Sequence, residues 1–267
     1  MKRCMILFVL AAMTFVTLSG CGQAAAEDTS LADIKAAGKF VVGLDDSFPP
    51  MGFVDENNEL GGFDIDLAKE VAMRLGVEAE FKPTEWDGIV LSLINKDIDV
   101  VWNGMTITEE RLEKIAFSNP YFNNEQIVIV KPDSGIETLA DLSGKTVGTQ
   151  LESSGALALR STKELSDSLA GIREYGNNVE ALMDLENGRI VAVVVDQVLG
   201  RYYIESNDLD YLVLEESLGT ELYGIGIRKE DVSLKEAIDA TLAEMIEDGT
   251  AGDISKKWFG EDILVRN

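Results

Sequence analysis

Polar residues gather behind each of four apolar runs in this chain. Val41-Val42-Gly43-Leu44 is followed by Asp45, Asp46 and the aromatic Phe48, and Asp99-Val100-Val101-Trp102 by Asn103, Gly104, Met105 and Thr106. Thr146-Val147-Gly148-Thr149 is followed by Gln150, Ser153 and Ser154, and Val193-Val194-Val195 by Asp196. In open α/β sheets, ligands sit beyond the carboxyl ends of the strands, so these groups are expected to face one crevice. Arg111 falls in the first turn of a short helix expected from Thr108. The positive dipole end of a helix favours acids there. A guanidinium in that place instead suits an anionic ligand group, which it can hold bidentately. Asp196 is its complement: a carboxylate ending an apolar strand is either a helix N-cap or a partner for a cation. Together Arg111 and Asp196 can read the two charges of a free amino acid. Each also has a local explanation, since Arg111 can pair with Glu109 or Glu110 and Asp196 can simply cap the next helix. Asp45, Asp46, Glu85, Trp86 and Phe48 suit a polar or cationic side chain held between an acid and an aromatic face. A cystine or a glutamine can use the same set.

The composition removes other chemistries. The chain of 267 residues has no histidine. That excludes Ser-His-Asp hydrolysis, Cys-His nucleophilic catalysis and every histidine-based metal site. No Walker-type loop occurs, so the chain does not itself hydrolyse ATP. The acid clusters Asp45-Asp46 and Asp55-Glu56 lack the spacing of a calcium loop and read as solvated turns. No cofactor is expected.

Strands and helices alternate along the chain. Lys39–Leu44, 98–102, 126–131, 145–150, 172–175, 190–195, 211–214 and 222–227 read as strands. A helix over 64–75 carries Ile65, Ala68, Val71, Ala72 and Leu75 on one face, with Asp64 as N-cap and Gly76 as stop. Thr84 is placed to cap a helix with the stripe Trp86, Ile89, Val90, Leu93 and Ile94. Ser153 opens another, and Asn178 caps one whose Val179, Leu182 and Met183 point inward. Two helices, 232–247 and 251–258, close the chain. The alternation predicts an α/β architecture with mostly parallel sheets. No Gly/Pro-rich linker divides it, so two lobes would be joined by short crossings.

The N-terminus has the pattern of an export signal: Lys2 and Arg3, an apolar run over 5–18, then Leu18-Ser19-Gly20-Cys21. The run is short of the ~20 residues of a membrane span. L-S-G-C resembles the bacterial lipobox, in which the cysteine becomes the lipidated N-terminus. Cys4 leaves with the signal, so Cys21 is the only cysteine of the expected mature chain, and lipidation explains an odd thiol in a secreted protein. Residues 22–30 read as a flexible tether. Removal of Lys2 and Arg3 takes the formal charge from -25 to -27. Such a surface repels nucleic acid and leaves membrane attachment to the lipid.

Several motifs together resemble the bacterial solute-binding proteins of family 3: G-G-F-D-I-D-L-A (61–68), N-G-M-T-I-T-E-E-R (103–111), F-S-N-P-Y (117–121) and K-K-W-F-G (256–260). The resemblance runs from Leu31 to Gly260. It implies a two-lobed, periplasmic-binding-protein-like α/β fold with the ligand cleft between lobes joined by two crossings. Carried over, residues 1–20 are the signal and 21–30 the tether. Residues 31–122 with 221–267 are lobe one, and 123–220 lobe two. It implies a carboxylate-binding role for Arg111, helped by Asn103, Gly104, Thr106, Ser153 and Ser154. Asp196 would take the ammonium, Phe48 would be an aromatic lid, and Asp45 a specificity acid. Two positions depart from the family pattern: Glu152 stands where a glycine is usual, and Val191 where an aspartate is.

The function implied is that of a monomeric lipoprotein on the outer face of the cell membrane. It would deliver a free polar amino acid to the permease and ATPase of an ABC importer. Two rival classes stand beside it. One is a dehydratase-type enzyme on the same fold, with Glu85 or Glu152 as general acid. The other is a ligand sensor, which would need a separate signalling partner.

Overall fold

The computed structural model describes residues 28–266. The expected signal segment, Cys21 and most of the tether lie outside the described residues. Ser30 already opens the helix Ser30–Ala37, and its hydroxyl lies 3.0 Å from that of Ser233 on the long helix near the C-terminus. No described helix is long and apolar enough to cross a membrane.

Two sheets organise the chain. The first has the order Glu78–Pro83, Lys39–Leu44, Val100–Val101, Gly226–Ile227, Ala116–Phe117. The second has the order Gly171–Tyr175, Thr146–Gln150, Ala192–Asp196, Phe122–Val130, Leu212–Val213. Each begins as a run of three parallel strands and finishes with antiparallel ones. The expected α/β class is thus met, with mixed sheets in place of mostly parallel ones. The antiparallel members are the strands on which the chain travels between the halves. Phe122–Val130 leaves the first half and runs into the second sheet. Thr220–Tyr223 returns antiparallel beside its first residues, pairing Thr220 with Glu125 and Tyr223 with Phe122. Two adjacent strands thus form the connection between two lobes.

Burial follows sequence pattern closely where both faces are covered. Every residue of Ala192–Asp196 is buried, as a continuous apolar run under helices requires. The helix Val232–Glu247 has the bounds expected from its stripe, with Leu234, Ile238, Leu242 and Met245 inward. Short elements deviate. Val100–Val101 is only two residues of the strand expected over 98–102. Ile94 and Met183 are exposed, because each helix buries one face and these residues fall just off it.

Three expected caps move. Gly62, not Asp64, is the N-cap of Phe63–Leu75. Its φ of 141° and the Met51 carbonyl, 2.2 Å from where a Cβ would stand, admit only glycine. Thr84 turns its hydroxyl back to the Lys82 carbonyl, and Glu85 precedes the 3₁₀ turn Trp86–Gly88. Asn177, one residue earlier than expected, caps Asn178–Glu186 by accepting the Glu180 N–H at 2.9 Å. The caps at Thr108 and Ser153 form as read.

Candidate functional site

The loops behind the two sheets meet face to face. Thr108 accepts the Arg111 N–H at 3.2 Å and starts the helix Glu109–Lys114. That fixes the Arg111 backbone and sends its side chain back over Trp86, the guanidinium carbon 5.5 Å from the ring centroid. Nη1 donates to the Thr106 carbonyl at 2.9 Å and Nη2 to the Glu152 carbonyl at 3.2 Å. Neither neighbouring glutamate takes the guanidinium. Glu110 instead pairs with Lys114 at 2.7 Å. Among the described residues Arg111 makes no ion pair. Burial pulls it below the ordinary guanidinium range, against the attraction of Glu221 and Asp196. A half-buried cation satisfied only by carbonyls is complementary to an anion. A cavity of about 120 Å³ opens beside it, walled by Trp86 and Arg111 on one side and Ser154, Leu157 and Arg160 on the other.

Asp196 stands at the N-cap of Gln197–Ser206 but makes no side-chain cap bond. Its Oδ1 accepts from the Tyr223 hydroxyl at 2.6 Å and the Asn124 amide at 2.8 Å. No cation is paired with it among the described residues. Burial first, and the nearby charge of Glu221 second, push its carboxyl well above the usual range, and the Tyr223 bond opposes them.

Three contacts join the loops across the cleft. Thr106 Oγ1 lies 3.0 Å from Ser154 Oγ. Gln150 Nε2 donates to Asp45 Oδ2 at 2.9 Å, and Arg111 reaches the Glu152 carbonyl as above. Gln150 is held in turn by the Asn178 amide at 2.9 Å on its Oε1. Asp45 spends its other oxygen on the backbone and hydroxyl of Ser47, at 2.9 and 2.6 Å. Asn103 Oδ1 accepts the Asp45 N–H at 3.2 Å. Gly104 has φ 58°, and a Cβ there would meet the Phe48 ring at 2.8 Å, so glycine lets that ring lie on the loop. The two serines divide their work. Ser153 spends its hydroxyl on the Gln150 carbonyl and the Ala156 N–H, at 2.7 and 3.1 Å. Ser154 is the one that faces Thr106. Glu85 is exposed and does not join the group.

The sequence profile of the bacterial extracellular solute-binding proteins, family 3, matches residues 40–261. This chain belongs to that family. An L-cystine-binding protein of Escherichia coli strain K12 is 36% identical over 240 residues, covering 89% of each chain. An arginine-binding extracellular protein of Bacillus subtilis strain 168 is 31% identical over 261 residues, 97% of this chain and 98% of the other. The structure of an ABC uptake transporter substrate-binding protein from Streptococcus pneumoniae with bound histidine superposes with a TM-score of 0.88 at 38% identity. It covers 91% of this chain and 100% of that one.

In this family-3 chain, the departure at Glu152 has a structural reading. Its φ is 56°, the left-handed region that a glycine occupies without strain. The residue is exposed at the rim of the cavity beside Arg111, and its carbonyl serves Arg111.

Two residues of the site escape sequence reading. Asp64, expected as a cap, lies inside the helix and is fully buried. Its Oδ2 accepts the Gly104 N–H at 2.7 Å and the Tyr121 hydroxyl at 2.9 Å, which ties the 103–106 loop to the F-S-N-P-Y segment. Burial raises its carboxyl to about 7, against the donors Gly104, Tyr121 and Trp102. Glu221 is the second. Its Oε1 collects Asn124 at 2.7 Å, Thr106 at 2.8 Å, Gln126 at 2.9 Å and Ser154 at 3.3 Å. The available signal was the alternation of a strand. Glu221 and Tyr223 share one face of the returning strand, as Asn124 and Gln126 do on its partner.

Proposed function

We propose that this chain is the substrate-binding lipoprotein of an ATP-driven amino-acid importer, closing two lobes on one free polar amino acid. The observation that carries this reading is the pair of unmatched charges in the cleft. Among the described residues, Arg111 is a partly buried cation without an anion, and Asp196 a buried acid without a cation. Arg111 is presented behind the first sheet and Asp196 behind the second, so a zwitterion that touches both favours the closed form. Relatives described as binding cystine, arginine or histidine support an amino acid as the ligand. Asp45, Phe48 and Trp86 favour a polar or cationic side chain, held against an acid and aromatic faces. Asn103, Gly104, Thr106, Gln150, Ser153 and Ser154 shape the loops around it. Lobe one is residues 31–122 with 221–267, and lobe two 123–220.

The work is binding without chemistry. Glu85 and Glu152, the general acids a dehydratase reading needs, are both exposed. A thermal-shift panel of the twenty amino acids with cystine and ornithine tests the reading. A ligand at 100 times its Kd stabilises the native state by about 2.7 kcal/mol, a rise in melting temperature that is easily read. If no amino acid moves the transition, the importer reading falls.

The anchor is Cys21. Cys21→Ser should move the protein from the membrane fraction to the soluble one and leave ligand affinity unchanged. A wild-type protein found wholly soluble, with its N-terminus elsewhere, would end the lipoprotein reading.

A further inference from the structure

Two carboxyl groups flank the strand that crosses between the lobes, and one amide ties them together. Asp196 is registered opposite Gln126, and Glu221 opposite Asn124. The Asn124 side-chain nitrogen donates to Asp196 Oδ1 and to Glu221 Oε1. Every other donor that reaches the pair lands on the same two oxygens. Tyr223 ends on Asp196 Oδ1, and Thr106, Gln126 and Ser154 end on Glu221 Oε1. Among the described residues, no hydrogen bond ends on Asp196 Oδ2 or Glu221 Oε2. Two acids are thus pinned by one oxygen each, and the two carboxyl groups lie within hydrogen-bonding reach of each other.

Among the described residues, neither acid has a cation in contact. Arg111, the positive charge that both acids attract, is bonded to carbonyls instead. Adjacent acids withdrawn from water do not both stay ionised without a counter-charge. A shared proton or a bound cation resolves the conflict. A primary ammonium has three donors and a full positive charge, which suits two carboxylates side by side.

We propose that Glu221 is a second anionic contact, beside Asp196, for the α-ammonium of the ligand, and that the two carboxyl groups hold one proton between them until that ammonium displaces it into solvent. This rests on the amino-acid reading above. The exchange balances: the ligand arrives with its ammonium already protonated, and the proton that held the two acids together passes to the buffer. The upward push on Asp196 by burial and by Glu221 fits the ligand-free half of the exchange. The other groups facing the pair are accounted for. Tyr223 donates to Asp196 and is itself raised by burial and the two acids, so it stays neutral. Tyr121 acts on Tyr223 from farther away. Arg111 approaches from the short helix and is attracted by both acids. Glu110 and Glu152 act on Arg111 itself. Thr106, Asn124, Gln126 and Ser154 are neutral donors.

The test is titration calorimetry of the whole protein with L-arginine and with L-glutamine, whose side chains do not titrate near neutrality. Each is run at pH 7 in phosphate and in Tris. The difference in heat between two buffers of unlike ionisation enthalpy counts the protons released. The expected result is close to one proton per ligand bound, with affinity falling about tenfold per pH unit on acidification. Glu221→Gln should bind about 10- to 100-fold more weakly and release a smaller fraction of a proton. Ligand binding with no proton released by the wild type overturns the proposal and leaves the amino-acid reading standing. So does an unchanged proton count in Glu221→Gln. Absence of heat with both probes and with every other amino acid removes that reading and the proposal together. The wild-type count decides alone if the variant is not recovered folded.

Discussion

Arg111→Met should weaken every amino-acid ligand by about 30-fold to several thousand-fold, and by similar factors whatever the side chain. Truncating one partner of a buried, hydrogen-bonded charge pair typically costs about 2–5 kcal/mol of binding, and each 1.4 kcal/mol is about tenfold. The contacts of Arg111 explain why the cost falls on binding. The guanidinium lies against Trp86 and is oriented by the Thr106 and Glu152 carbonyls, so its fork is held in place for an anion. Methionine keeps much of the length and the contact with Trp86 and removes the fork. Folding should survive, because the helix Glu109–Lys114 is started by the Thr108 cap and not by the guanidinium. Calorimetric titration with the best ligand and with its carboxamide makes the comparison. The wild type should reject the amide, which lacks the carboxylate. A methionine variant that binds the acid as tightly as wild type would place the pocket elsewhere.

Asp64→Asn should change how stability depends on pH. The Asp64 carboxyl is fully buried and raised to about 7 from an ordinary 3.8. Burial favours its protonated form in the folded state. Its contribution is therefore complete below about 3.8, shrinks as the unfolded chain ionises, and is gone once pH passes through about 7. At about 1.36 kcal/mol per unit, the whole swing is on the order of 4 kcal/mol. Asparagine imitates the protonated acid: its oxygen can accept from both Gly104 and Tyr121, and it does not titrate. The two proteins should be about equally stable near pH 4. The asparagine variant should gain over wild type through pH 5 to 8. Acids such as Asp184 and Asp248, held low by their arginine partners, pull stability the other way and are common to both proteins, so they cancel in the difference. Urea unfolding of both proteins across that range measures it. A difference that does not vary with pH would show that Asp64 is ionised throughout.

The α/β class, the order of its elements and the crevice behind its strands were legible in the sequence. So were Arg111, with its Thr108 cap, and Asp196 at the end of a buried strand. Those readings rest on signals that act within one strand or one helical turn: apolar period, a capping hydroxyl, a charge where the dipole disfavours it. Tertiary structure decided what joins positions far apart. Whether Asp196 caps a helix or faces the cleft depended on Asn124, 72 residues away, and Tyr223, 27 away. Which serine serves the cleft depended on Thr106 standing opposite. Asp64 reads as a helix cap until the 103–106 loop is laid across its carboxylate. Strand alternation puts Glu221 on one face with Tyr223, but its place at the site comes from antiparallel register with Asn124, 97 residues earlier in the chain. A register slip of one residue would turn its side chain to the other face of the strand. Only the packed pair of crossing strands sets that register.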